Sequence, residues 1–425
     1  MKKTVLIAII CLINGITVSA QQQKGIVGEA NWLKNWTNFK PTTAEYPEST
    51  NLLTGVINSN LTLYKRNTYT LVGVVYITNN AVLTIEPGTV IRGDVETCGT
   101  LVITKGSKIM AEGLETAPIV FTSNREVSDR KPGDWGGIII LGEAPINKIG
   151  GEAFLDFNLD PMVSHYGGKN QDSDSGILKY VRIEFSGRKL NALKELNGLS
   201  LAGVGRKTKF NFIQISYSND DSYECYGGEV NFDNIISFRA TDDDFDFTQG
   251  AQSNISNSIA IRYPFSSDIS GSRCFEIDSY DKIENADLTK KLTKITATNM
   301  ALANLEENNQ GLVREAIYVK EKSYFSLTNS VVSGFKLCAL LEGKIGNVSA
   351  NLAKVNFQNV LVNNCAGGIQ SEIATYDQEI KNWYSNESFS LEYSKIGNAE
   401  LFLEPNPKKS LDFRMKAYQA LAIGN

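Results

Sequence analysis

An all-β solenoid, short strands stacked in parallel coils, is the fold class this sequence predicts. Two acid-rich segments, NDDSYECYGG from Asn219 and TDDDFDFTQG from Thr241, repeat in phase at an offset of 22 residues. Asp220 aligns with Asp242, Asp221 with Asp243, Tyr223 with Phe245, Glu224 with Asp246 and Gly228 with Gly250. An asparagine flanked by small or apolar residues two positions away recurs at Asn234, Asn257, Asn299, Asn329 and Asn359. Alternation at period two, glycine-rich corners and repeats of about 18 to 30 residues without helical periodicity are the signature of a solenoid. On a single strand such an asparagine would be a buried polar liability; in a parallel stack each amide can donate to the asparagine one level below.

From the N-terminus, Lys2 and Lys3 precede the apolar run VLIAIICLING, and Val18-Ser19-Ala20 supplies small residues before Gln21. A basic start, a short apolar core and small residues at the cleavage point predict a secretory signal peptide over residues 1–20. The run is too short for a membrane helix, and no later segment reaches the roughly 20 apolar residues that a span needs. The expected location is therefore secreted: periplasm, outer-membrane surface or extracellular. Residues 21–54, with NWLKNWTNFKP, read as an arm or cap, because solenoid ends need covering.

Residues 55–404 carry the repeats and predict on the order of a dozen coils at about 25 residues each. LTIEPGTVIRG from Leu83 aligns with LVITKGSKIMA from Leu101 at an offset of 18, and Phe210 aligns with Phe232 at 22. Residues 147–176 are rich in Gly, Asp, Ser and Asn and read as an inserted loop, and 405–425 as a second closing segment. Formal net charge is −5, more acidic once Lys2 and Lys3 leave with the leader, which argues against a nucleic-acid partner. Five cysteines follow the leader, Cys98, Cys225, Cys274, Cys338 and Cys365, an odd number whose spacings fit no zinc ribbon. His165 is the single histidine, so chemistry needing two is excluded.

The phrases LTIEPGTVI, PIVFTSN, GDWGGIIILGEAPIN and SDSGILKYVRIEFSG, followed by the paired acid coils, run in order from about Leu71 to Pro264. Together they resemble an exported family of right-handed parallel β-helix proteins, related in fold to pectin lyases and common in Bacteroidetes and other Gram-negative bacteria. The resemblance implies a right-handed parallel β-helix and no particular activity.

In such a helix the 22-residue offset becomes vertical stacking. Tyr223, Cys225, Phe245 and Phe247 turn inward, while Glu224 and Asp246 point outward as neighbours. Two carboxylates about 5 Å apart repel by roughly 0.8 kcal/mol in water and several-fold more when desolvated. Three readings compete for these acids. They can sit at corners, accept backbone amides of a turn and remain solvated. They can hold calcium, a hard cation taking six to eight oxygens, through Asp220, Asp221, Asp242 and Asp243, with Glu224 and Asp246. Or they can be catalytic: Asp221 and Asp243 as a carboxylate pair at the roughly 6.5–9.5 Å of an inverting glycosidase, or beside Arg239 or Arg262 as the base of a lyase. Tyr226, Asp244 and Trp135 are candidate ligand contacts, Trp135 as a platform for a sugar ring against the simpler reading of corner packing. The leading expectation is a non-enzymatic envelope or surface protein that binds a glycan or protein partner. The alternative is a calcium-dependent lyase or glycoside hydrolase acting on acidic polysaccharide at the Asp220/Asp242 clusters.

Overall fold

The computed structural model describes residues 23–264, 271–280, 282–306 and 311–417. The predicted leader lies outside these residues. The described chain is dominated by one sheet of 26 strands, and its pairings are parallel throughout. The strands fall on three faces that wind as a right-handed parallel β-helix. The first face includes Val82–Ile85, Lys108–Glu112, Gln252–Ser256 and Lys294–Thr298. The second includes Val90–Gly93, Ile119–Ser123, Ile259–Arg262 and Ala301–Asn304. The third includes Thr100–Ile103, Gly137–Leu141, Leu199–Ala202, Tyr223–Tyr226, Phe245–Thr248 and Phe275–Ile277.

Longer strands such as Glu229–Phe238 and Tyr324–Ser333 start on the first face and finish on the second. These strands, and the shorter first- and second-face pairs, turn at one residue in the left-handed region: Asn234 (φ 55°), Asn257 (47°), Asn299 (56°), Asn329 (50°) and Asn359 (54°). The asparagine rhythm therefore marks a corner, which corrects its placement on a strand face. Asparagine tolerates this conformation better than other residues with a Cβ. The bend also shifts the alternation, so Ile236 and Val331, two residues on, face outward rather than into the core. The expected amide ladder appears between Asn359 and Asn329, where Nδ2 donates to Oδ1 at 2.7 Å.

The offset of 22 is one coil: Phe210 pairs with Phe232, Tyr223 with Phe245 and Glu224 with Asp246. The offset of 18 is not. Leu83 stacks on Ile109, and Leu101 lies on the third face above Val75. Each coil carries three strands, so two strand–turn–strand units can look alike without occupying the same level.

An aromatic column fills the interior: Tyr223, Phe245, Phe275, Phe325, Phe357 and Tyr384, with neighbouring ring centroids 5.0 to 6.0 Å apart. It ends on the helix Asp377–Tyr384, which closes the C-terminal end of the core with Ile380 and Tyr384. The N-terminal segment, expected as a cap or a surface-packed arm, runs along the side of the helix. Ile26, Leu33 and Trp36 join Leu401, Phe402, Leu411, Phe413 and Met415 over the outward residues Ile236, Phe238, Ile259, Ile261 and Val331. Those apolar residues would otherwise lie in water, so the arm and tail cover a side rather than an end. The insertion forms an antiparallel hairpin, Glu152–Phe154 with His165–Gly167, whose apolar residues pack on the outer third face against Ile139, Leu141 and Ala202. All five described cysteines are free; Cys225, Cys274 and Cys338 are buried.

Candidate metal centre

Just above that hairpin the third face turns acidic. Its outward row runs Ser200, Glu224, Asp246, Glu276 and Tyr318 in successive coils. The inward neighbours Tyr223, Cys225, Phe245 and Phe247 are fully buried, and they fix Glu224 and Asp246 on the opposite side of their strands. Two carboxylate triads share one residue. Asp220, Asp221 and Asp242 form one, and Asp221, Glu224 and Asp246 the other, with the oxygens of each within 4.8 Å of one another.

The acids separate by role. Asp221 and Asp243 are buried at the corner that enters the third face, 6% and 4% exposed. The Asp221 carboxylate accepts the Asp243 amide at 2.9 Å, and Asp243 accepts the Arg273 amide in the next coil. These two therefore sit at a corner and accept backbone amides as expected, but across coils and, against the corner reading, out of solvent. Asp244 is fully buried inside the helix, where Ser237 donates to it and Arg262 lies 3.4 Å away. Asp244 is a core residue rather than a ligand contact. Tyr226, two residues on in the same strand, donates to Glu224, as does Asn197, which ties the outer triad to the coil below.

Burial, then mutual repulsion, sets the electrostatics. Desolvation pushes Glu224 up to about 7, with Asp278 and Asp242 adding to it and the Tyr226 and Asn197 hydrogen bonds opposing. Asp221 rises well above the usual carboxylate range, first through desolvation and then through Asp220, Asp242 and Asp246. Asp246 rises in the same way, with Glu224 and Asp278 as its main neighbours. Among the described residues no Lys or Arg forms an ion pair with Asp221, Glu224 or Asp246, and Asp246 Oδ1 is buried without a hydrogen-bond partner. One coil higher the situation reverses. Arg273 meets Glu276 at 2.8 Å and Glu315 at 2.9 Å, and Lys320 meets Glu276, with Asp278 at 3.7 Å.

Glu276 and Asp278 escaped the sequence reading because this coil is 30 residues long, not 22. The legible signal was FEID at Phe275, an echo of FDFT at Phe245. Two sequence candidates are corrected by burial. Arg262, a candidate lyase base, is sealed in the core against Asp244; burial works to lower its pKa, Asp244 to raise it, and the net shift is upward. Trp135 follows the corner-packing reading: it is fully buried, stacks on Phe121 at 6.4 Å and donates to the Glu184 carbonyl at 2.8 Å, leaving no ring face for a sugar. Arg239 does point outward, but toward Glu306 at 2.6 Å and over the Tyr263 ring, away from the triads.

The chemistry of the donor set fits a hard divalent cation. Every candidate ligand is a carboxylate oxygen, with no nitrogen or sulfur ligand in either triad. A cation there would replace the like-charge repulsion with attraction.

The matched family is a β-helix class. A model of the pectate-lyase-like beta helix domain matches residues 55–400. The chain belongs to that family. No curated protein matches it. Among solved structures it is similar to the N-terminal fragment of gene product 12 of bacteriophage Phi29, with 13% identity, TM-score 0.26, and coverage of 72% of this chain and 60% of that one. It is also similar to full-length tailspike protein 2 from Escherichia coli O157:H7 bacteriophage CAB120, with 11% identity, TM-score 0.25, and coverage of 78% of this chain and 38% of that one. The chain thus spans less than two thirds of either structure's length. Among the described residues no helix is long and apolar enough to cross a membrane.

Proposed function

We propose that this chain is an exported β-helix of the cell envelope or surface that binds a glycan or protein partner without catalysis. In this reading its Asp221–Glu224–Asp246 ladder, extended by Asp220 and Asp242, holds a cation of the calcium class. The supporting observation is the outer triad: three carboxylates within 4.8 Å, none in an ion pair with Lys or Arg among the described residues, beside a coil whose acids are ion-paired. A cation bound only by the folded state stabilises it by RT ln(1 + [L]/Kd), about 2.7 kcal/mol at a hundred-fold excess over Kd.

The catalytic alternative has less support. The oxygens of the triads sit closer than the roughly 6.5–9.5 Å that leaves room for water in an inverting glycosidase. Asp243 is buried and already accepts an amide, and Arg262 is committed to Asp244. An acidic polysaccharide would also meet like charge on this face.

The test is a calorimetric titration of chelator-treated protein with calcium and then magnesium. A saturable calcium isotherm, absent in Glu224→Gln/Asp246→Asn, is expected. No heat with the native protein, together with a melting temperature unmoved by calcium, would sink the cation reading.

A further inference from the structure

The two ends of the solenoid are finished differently. The C-terminal end is closed by the helix Asp377–Tyr384, with Ile380 and Tyr384 in the core. At the N-terminal end, Asn51–Ile57 and Leu61–Leu63 form the first coil, and among the described residues they pair only with the coil above. Leu53, Ile57 and Leu61 pack against the core but stay half-buried, and Leu52 and Val56 are 67% and 62% exposed. The arm enters this coil from the side, where the Pro47 carbonyl accepts from Arg92 at 3.3 Å. The start of the arm and the tail lie far from it. Ile26 and Met415 belong to the cover over Val331, nine strand pairings above Asn51, or about 43 Å.

An edge strand presents unpaired amides and carbonyls, and stable folds guard it with charge, proline or a cover. The edge segment NLLTGVI carries neither charge nor proline. Its residues 51–54 lie on the second face and 56–57 on the third, and Leu61–Leu63 lie on the first. Charge differs between the corners of this end. Lys65 and Arg66, between the first and second faces, are exposed and form no ion pair among the described residues. Beside them Glu48 pairs with Arg92 at 3.3 Å and Glu86 accepts the Lys65 amide, which leaves this corner net positive. The corner between the second and third faces is acidic. There Asp94 accepts from Thr97 and Asn124, and the exposed Glu96 forms no ion pair among the described residues. Thr97 Oγ1 accepts the Gly73 amide at 2.8 Å, so the acidic loop folds down toward the open end.

We propose that the open first coil is the interface of a two-fold, end-to-end dimer with a second copy of this chain. A two-fold axis across the second face reverses the coil, so residues 51–54 lie antiparallel on their own copy. With Leu53 on Leu53 of the second copy, Leu52 meets Thr54, and every side chain keeps its inward or outward side. The reversal exchanges the first and third faces. It brings residues 56–57 opposite Leu61–Leu63 of the second copy, so both open strands gain a neighbour. The same axis sets the basic Lys65 and Arg66 corner against the acidic Glu96 corner of the second copy, once on each side. The helix that closes the C-terminal core blocks head-to-tail addition, so assembly stops at two. The dimer lies beyond the binding reading above and needs neither a glycan nor the cation ladder.

Sedimentation velocity in excess chelator, from about 1 to 100 µM protein, reads the assembly without any cation bridging two acid ladders. A concentration-dependent dimer is expected, with small-angle scattering showing an elongated particle of twice the monomer's length. Leu52→Lys/Val56→Lys, at two exposed positions, should be monomeric over the same range, because like charges then meet across the edge. Lys65→Glu/Arg66→Glu should weaken the dimer about ten-fold, and adding Glu96→Lys should restore it, a rescue that loss of folding could not produce. Tyr393→Lys, exposed on the last coil, should dimerise like the native protein. Four results would each overturn the proposal: a native protein that stays monomeric, species larger than a dimer, an edge or charge-reversed variant that dimerises as tightly as the native protein, or a dimer lost in Tyr393→Lys.

Discussion

Asp221 and Asp243 are linked across one coil by a bond between a side chain and a backbone: the Asp221 carboxylate accepts the Asp243 amide at 2.9 Å. Asp243 repeats the arrangement one level up, on the Arg273 amide. The stack of corners is thus held in register by buried carboxylates that also repel one another. Substitution separates the two effects. Asp221→Ala leaves a buried amide without an acceptor and should cost about 1–3 kcal/mol in urea unfolding. Asp221→Asn keeps an acceptor oxygen and removes a charge, so it should be clearly milder. Equal losses in the two variants would mean that the hydrogen bond is not what matters.

Glu224 and Asp246 are the clearest test of the outer ladder. In chelator, Glu224→Gln/Asp246→Asn should be at least as stable as the native protein, because it removes repulsion between stacked, half-buried acids. On adding calcium the order should reverse, since only the native protein gains the binding term. Thermal melts of both proteins, with and without calcium, read this directly. A variant that melts lower than the native protein in chelator would show that these carboxylates stabilise the fold without a cation.

The coil was legible at these residues because chemistry and spacing repeated together. Asp-Asp, an aromatic, an acid and a glycine recur at 22 residues, and the register pairs them as the offset predicts. Glu276 and Asp278 were not legible because a longer corner breaks the period while preserving the stack. Arg262 and Asp244 were misplaced for a different reason. Alternation within a strand tells inside from outside, but both residues sit at strand ends, where a bend resets the phase. Trp135 follows two residues after Gly133 in a tight turn; corner packing is the simpler reading of it, and only its partner Phe121 was not legible. The arm and tail were recognised as covers, but their target, the outward row through Ile236, Ile259 and Val331, depends on the bend at the corner asparagines.

Glu321 makes stability depend on pH. Its carboxylate accepts the Ser279 amide at 2.9 Å at the corner leaving the third face. Desolvation, with Asp278 and Glu342 nearby, raises it from 4.5 to about 7. A raised carboxylate favours the protonated folded state, so this contribution is fully present below about pH 4.5 and is lost as pH rises through about 7. Glu321→Gln keeps an acceptor for the amide and cannot ionise. Its unfolding free energy should therefore fall less than that of the native protein between pH 5 and 7.5, measured in chelator. Parallel curves for the two proteins would assign the pH dependence to other groups.

The Arg262–Asp244 pair lies wholly inside the solenoid, both side chains 0% exposed and 3.4 Å apart, with Ser237 donating to Asp244 and Ser222 2.7 Å from Ser237. Breaking a buried pair from one side costs more than replacing both partners, because the remaining charge has lost its compensation. Arg262→Met should cost about 3–5 kcal/mol. Part of that loss is expected to appear as proton uptake, because burial already raises Asp244 and Arg262 opposes it. Asp244→Asn on that background should recover stability, since an amide can still take the Ser237 hydrogen bond and carries no charge to bury. A double-mutant cycle in urea measures this coupling, expected at about 1–3 kcal/mol for residues in direct contact. Additive losses would show that Arg262 acts by filling space and contacting the Asp242 carbonyl, and that the Asp244 carboxylate is neutral in the folded core.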